Sequence, residues 1–401
     1  MPPSAPRAPR GHPAEVLRVA LQLGLTSFGG PIAHLGYFER TYVHERAWLS
    51  ARQYAALVGL CQILPGPTSS QVGFLIGLHR AGWGGALAAW VGFTLPSALI
   101  LYACARLSTQ VQGPLAGATV HGLKRVAVAV VAQAVWSMAR RLCTDTSTGL
   151  IALCAGALLL ASGAAGAQLA ALAVGFAAGL LWCRPASVPA LAAEPLARGR
   201  AAWLALATFS VLLLALALLS WRYPHSGVAL AQVFYRAGAL VFGGGHVVLP
   251  LLRAPLVPGW LSDDAFLSGY GLAQAMPGPL FTVAAYLGAI AAAGAPTAGA
   301  LIALLAIFLP GLLLAVAGSS LWTVLAHRAR LRAGITGVNA AVVGILAAAL
   351  YDPVWTSAIH DAADIAVAAG ALLLLMTQRV PPLVVVALCT ALSIVRGASA
   401  V

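Results

Sequence analysis

Between Gly149 and Cys183 the chain carries no Asp, Glu, Lys or Arg, and the same is true of Gly84–Ala105, Ala201–Trp221, Pro296–Ala326 and Gly334–Tyr351. At 1.5 Å rise per residue, about 20 apolar residues cross the hydrocarbon core of a bilayer. A soluble core has no use for five such runs. The composition agrees, with 61% hydrophobic and 8% charged residues and a mean hydropathy of +0.91, against about a quarter charged in soluble domains. A lipid-embedded backbone must satisfy its own hydrogen bonds, which leaves helices as the expected spans. The fold class expected is an all-α, polytopic membrane protein.

The net charge of +13 would suggest a nucleic-acid partner in a soluble protein. Here the basic residues, all Arg except Lys124, sit at span ends and in short loops, where they fix orientation and meet anionic headgroups. The lipid bilayer is therefore the expected partner, and no nucleic acid is. The opening residues 1–13 are Pro-rich and basic without an apolar signal-peptide core, and read as a disordered tail. The six Cys show no CxxC spacing and the nine His no paired ligand spacing, so no metal, disulfide framework or cofactor is expected. An enzyme would need a polar cluster of nucleophile, base or metal ligands, which the sequence does not offer.

The chain repeats itself. Phe28-Gly29-Gly30 recurs as Phe242-Gly243-Gly244, Trp48-Leu49-Ser50 as Trp260-Leu261-Ser262, Pro65-Gly66-Pro67 as Pro277-Gly278-Pro279 and Pro96 as Pro310, all 212 to 214 positions apart. Four landmarks in register imply a duplication. Residues 14–183 and 201–401 form the two repeats, and the Pro-rich, polar stretch 184–200 the linker between them.

Pro-Gly-Pro inside an apolar run is costly, since each Pro removes a backbone donor and Gly loosens the helix. Two such breaks at equivalent places imply a use. Tyr54–Leu64 and Thr68–Leu78 are each too short to span, and discontinuous helices of this kind build transporter substrate sites near the midplane. A helix N-terminus favours an anion. Up to four N-termini could converge, from Phe28, Gly29 and Gly30, from Pro65, Gly66, Pro67, Thr68 and Ser69, and from their counterparts Gly243, Gly244, Gly245 and Pro277, Gly278, Pro279. Gln62 and Gln274 precede the breaks identically and could donate to an oxyanion or to a freed carbonyl. His246 could donate to substrate or titrate. Arg46 and Arg80 could hold a tetrahedral oxyanion through paired donors, with interfacial anchoring as the plainer role. No carboxylate lies deep in an uninterrupted apolar run, which argues against simple proton antiport.

At these residues the sequence resembles the chromate ion transporter family in its long, two-domain form. The resemblance rests on Thr26-Ser27-Phe28-Gly29-Gly30-Pro31, Trp48-Leu49, Leu64-Pro65-Gly66-Pro67 and Arg80-Ala81-Gly82-Trp83-Gly84-Gly85-Ala86 in the first half. In the second it rests on Phe242-Gly243-Gly244-Gly245, Pro258-Gly259-Trp260-Leu261 and Gln274 with Pro277-Gly278-Pro279. It implies a multi-pass protein of the bacterial inner membrane that exports chromate or a related dianionic oxyanion and confers resistance. An oxyanion channel and a sulfate-type carrier are the alternatives, and a homodimer is a candidate assembly. The resemblance also implies repeats of opposite orientation, which counting Arg in the loops leaves undecided: basic clusters fall at equivalent places in both halves, at Lys124-Arg125 and at Arg328 to Arg332.

Overall fold

The computed structural model describes residues 11–108, 114–162, 166–185, 199–377 and 380–399. Most of the expected tail and linker fall outside this range. The described chain is helical throughout, and five helices are long and apolar enough to cross a membrane by length and composition.

Each repeat begins with helices that stop halfway. Helix α1 (Pro13–Thr26) has Pro at its first position and Glu15 in its first turn, both suited to a helix start. It ends where Gly29 and Gly30 adopt positive φ, at 97° and 77°. The chain turns back through α2 (Gly30–Phe38) and a π-helical turn (Glu39–Glu45). Helix α3 (Ala51–Ile63), opened by a Ser50/Gln53 capping box, climbs again to Pro65-Gly66-Pro67. Helix α4 (Thr68–Ser108) descends, reverses at Ala81-Gly82 and then crosses the molecule. The reversal needs glycine, because Gly82 has φ 64°. Arg80 lies 3.2 Å from Glu15 and over the Trp48 ring, so the start of α1, the end of the π turn and the α4 kink share one face. Both hairpins of this repeat are therefore re-entrant, which explains why their arms are too short to span.

Helices α5 (Pro114–Leu142), α6 (Thr146–Ser162) and α7 (Ala167–Trp182) complete the first copy, and α8 (Gly199–Arg222) follows. The second copy runs through α9 (Gly227–Leu240), α10 (Val248–Leu256), α11 (Asp263–Ala275), α12 (Val283–Ala291), α13 (Pro296–His327) and α14 (Ala329–Ala349). It closes with a short α15 (Thr356–Ala358), α16 (Ala362–Met376) and α17 (Pro382–Ser399). The two arms of α4 correspond to separate helices, α12 and α13.

Equivalent helices run in opposite directions. The Trp90 ring packs on Phe308 at 5.7 Å, while Tyr102 hydroxyl lies 2.7 Å from Thr297 Oγ1. Residue numbers thus rise along α4 as they fall along α13, and the repeats are inverted relative to each other. Helix α8 has no counterpart in the first copy and supplies the extra crossing that inversion requires.

The copies also cross over. Helices α6 and α7 pack on α14 of the other repeat, and α16 and α17 on α5. Small residues make these seams: an added Cβ at Gly175 or Gly179 would meet Gly337, and one at Gly156 would meet Gly344. Inversion settles the charge distribution as well. Arg46, Arg52, Arg80, Arg140, Arg141, Arg328, Arg330 and Arg332 gather at one face. Asp264, Asp361 and Asp364 lie at the other, where they pair with Lys124, Arg125 and Arg396.

Candidate substrate site

The four breaks meet in the middle of the molecule, and they meet crosswise. The Gly66 amide donates to the Val241 carbonyl at 2.8 Å, and the Gly278 amide donates to the Ser27 carbonyl at 2.8 Å. Each Pro-Gly-Pro turn of one repeat therefore caps the glycine-rich break of the other. These two amides, expected to face an anion, are spent on the frame. The turns also press on the partner repeat's long helix beside its internal proline. A Cβ at Gly66 would stand 2.8 Å from Gly311 Cα, and one at Gly278 would stand 3.0 Å from the Phe93 carbonyl oxygen. Positive φ of 122° and 87° adds a second reason for glycine at both places.

The carbonyls that the breaks release find a partner outside the residues expected at the site. Gln71 Nε2 donates to Pro65 O and Gly311 O, both at 2.9 Å. Gln62 instead faces open space, while Gln274 packs beside Tyr270, whose hydroxyl lies 2.9 Å from His246 Nδ1.

A cavity of about 530 Å³ opens beside the first pair of breaks. Its floor includes Pro31, Gln62, Thr68, Gly243 and Gly244, and its walls are α3 through Ala55, Val58 and Gly59 and α14 through Ile335, Thr336 and Asn339. Arg141 and Arg332 stand at its rim, with Arg141 Nη2 at 3.4 Å from Gly243 O. The N-terminal ends of α2 and α4 reach it at Pro31 and Thr68, so two helix starts and two guanidiniums address one space. Asn339 Oδ1 is buried without a hydrogen-bond partner among the described residues, 3.7 Å from where a Cβ on Gly243 would lie. The two guanidiniums and helix starts suit a small, multiply charged anion with hydrogen-bonding oxygens, whereas the Asn339 oxygen, itself an acceptor, would meet only a protonated group.

Of the residues expected at the site, Gln62, Thr68, Gly243 and Gly244 line the cavity. Phe28, Gly29 and Gly30 form the break next to Pro31, and Pro65, Gly66, Pro67 and Ser69 lie directly behind Thr68. Gly245, His246, Gln274, Pro277, Gly278 and Pro279 belong to the second pair of breaks. Arg46 and Arg80 stand apart from the cavity beside the buried Trp48 ring, Arg46 exposed and Arg80 partly buried on Glu15. Arg141, Arg332 and Asn339 were not anticipated. A signal existed for Asn339 alone: Gly122-Leu123-Lys124-Arg125-Val126-Ala127 aligns with Gly334-Ile335-Thr336-Gly337-Val338-Asn339 at the same 212-residue separation, where Asn339 replaces an alanine.

His121, His360 and Asp364 also come together, at the acidic face. Arg125 and Arg396 both reach the Asp364 carboxylate. Two guanidiniums on one carboxylate make an ion-pair network and disfavour a cation there.

The profile of the family described as "Chromate transporter" matches residues 14–224 and again 228–394. A chromate transport protein of Pseudomonas aeruginosa is 29% identical over 348 residues, covering 83% of this chain and 79% of that protein. A probable chromate transport protein of Synechococcus elongatus is 28% identical over 355 residues, covering 84% and 85%. An uncharacterised transporter of Methanocaldococcus jannaschii is 24% identical over 334 residues, covering 82% and 81%. No solved structure matches the chain. Two profile matches that together take in nearly every helix described above assign the chain to the chromate transporter family.

Proposed function

We propose that the protein is a carrier that exports chromate from the cytoplasm across the inner membrane, thereby giving resistance to it. The observation that carries this reading is the cavity between α3 and α14, with two helix N-termini at its floor and Arg141 and Arg332 at its rim. Guanidinium groups match tetrahedral oxyanions through paired donors. The two arginines that line the cavity belong to the arginine-rich face, which the positive-inside rule assigns to the cytoplasm. Substrate is thus loaded from inside, as export requires. Within this reading the reciprocal Gly66 and Gly278 bonds hold the floor rigid, Gln71 satisfies the carbonyls beneath it, and Gln62, Thr68 and Asn339 supply polar contacts.

Export can run on the membrane potential. A dianion leaving an interior-negative cell gains about 2 × 2.3 kcal/mol per 100 mV, more than three decades of concentration ratio at about 1.4 kcal/mol each. The test is chromate flux into inverted vesicles that carry a potential but no pH gradient. Saturable flux under that condition is expected, and flux that required a pH gradient would replace the electrical route with a proton-coupled one. Flux that never saturated would favour a channel.

A further inference from the structure

The cavity has a counterpart that is shut. By the repeat register Gly59 of α3 corresponds to Gly271 of α11, and Ile335, Thr336 and Asn339 of α14 correspond to Leu123, Lys124 and Ala127 of α5. A Cβ on Gly59 would meet nothing within 4 Å, since it would point into the cavity. A Cβ on Gly271 would stand 2.8 Å from the Leu123 carbonyl oxygen. Equivalent helix pairs, each made between the repeats, are therefore parted at α3–α14 and pressed together at α11–α5. At the mouth of the closed seam Lys124 pairs with Asp264 at the start of α11. The open seam has Thr336 and Arg52 at the matching places and lacks the sign complementarity for such a pair.

We infer that the α5–α11 seam is a latent second vestibule for the oxyanion, opening on the acidic face, lined by Tyr270, Gly271, Gln274, Leu123 and Ala127 and latched by Lys124–Asp264. Inverted repeats supply the physical reason. Two copies of one sequence pattern in opposite orientation can exchange conformations at little net cost, so a state with α3 closed on α14 and α11 parted from α5 is the near mirror of the one described. In that state the Lys124 ammonium, released from Asp264, faces the departing anion. The inference rests on the carrier reading above, yet it concerns which surfaces become accessible and so can be tested without any substrate.

The experiment places one cysteine in a full-length background whose six native cysteines are replaced, and measures its reaction with a membrane-impermeant thiol reagent from each face. Leu123→Cys is buried now and should react slowly, from the acidic face. Adding Asp264→Asn should raise that rate about fivefold, the size expected from losing one partly exposed ion pair. Ile335→Cys, the equivalent site in the open seam, should react from the arginine-rich face and slow when Asp264→Asn is added. In a separate variant, Gly59→Cys with Ile335→Cys should form a disulfide under oxidation, although no atom now lies within 4 Å of a Cβ at Gly59, and chromate flux should stop until it is reduced. A Leu123→Cys rate unchanged by Asp264→Asn, together with failure of the Gly59/Ile335 pair to cross-link, would overturn the second vestibule. Those outcomes stand whichever anion moves. Failure of chromate flux in the unmodified protein would instead reject the substrate and leave the accessibility result intact.

Discussion

The breaks of the two repeats share a backbone and differ in chemistry. Around the first, Ser27, His34, Ser69, Ser70, Gln71 and Thr94 are all buried; at the equivalent places the second has Val241, Val248, Phe281, Thr282, Val283 and Phe308. In the first repeat His34 Nδ1 lies 3.4 Å from Ser69 Oγ, and its ring packs edge-on against Phe93. In the second, Phe281 packs on Phe308, which also takes the Trp90 ring. The hydroxyls of Ser27, Ser70 and Thr94 and Gln71 Oε1 have no hydrogen-bond partner among the described residues. An unpaired buried polar group costs about 1–3 kcal/mol. The frame is two-fold while this set of buried hydroxyls, imidazole and amide is one-sided, so the two copies of the break are alike in backbone and unlike in side chains.

The largest effect should come from attacking what the repeats share. Gly66→Leu and Gly278→Leu each force a side chain into the partner repeat's long helix at a positive-φ position, and both should abolish chromate transport in vesicles. If only one of the two mattered, the reciprocal frame would not be the working unit.

Next come the rim and floor. Arg332→Gln and Arg141→Gln should each raise the chromate KM about tenfold or more, since a charge-assisted hydrogen bond is worth about 1.5–3 kcal/mol. An unchanged KM in both would move the anion away from this cavity.

A smaller effect should separate the two interiors. Replacing Ser70 by Ala or Thr94 by Val removes an unpaired buried hydroxyl, and should raise thermal stability in detergent by about 1 kcal/mol each while slowing transport. Thr282→Ala in the second repeat breaks a 2.7 Å bond to the Pro279 carbonyl and should lower stability instead. Equal behaviour of Ser70 and Thr282 variants would erase the contrast drawn above.

The smallest effect is expected at the surface. Arg46→Gln and Arg80→Gln should leave chromate KM within about twofold, because both stand apart from the cavity, Arg46 exposed near the Trp48 ring and Arg80 partly buried on Glu15. A tenfold change measured in vesicles would show that these arginines do more than anchor the helix ends.

Much of the frame was legible in the sequence because breaks in membrane helices are costly and therefore conspicuous. Pro65-Gly66-Pro67 and Pro277-Gly278-Pro279 announced the half-helices, and the constant separation announced the duplication. Inversion was not legible from the loops, since basic clusters occur in both halves, at Lys124-Arg125 and at Arg328 to Arg332; it follows from Tyr102 meeting Thr297 while Trp90 meets Phe308, contacts between distant residues. The rim arginines were hidden for a related reason. An arginine at a helix end looks the same in sequence whether it borders a cavity, as Arg332 does, or lies at the surface, as Arg46 does. The spending of the Gly66 amide on Val241 was hidden too, because it depends on how the copies cross.

That crossing reaches into biogenesis. Helices α6 and α7 leave the ribosome well before α14, the helix they pack against, and α5 waits longer still for α16 and α17. The first repeat must therefore rest in the bilayer with its glycine seams uncovered until synthesis of the second is nearly done. A nascent chain arrested before α14 would present those seams to whatever insertion chaperones or proteases patrol the membrane, and one shortened before α16 would be complete at its arginine-rich cavity yet unclasped around α5.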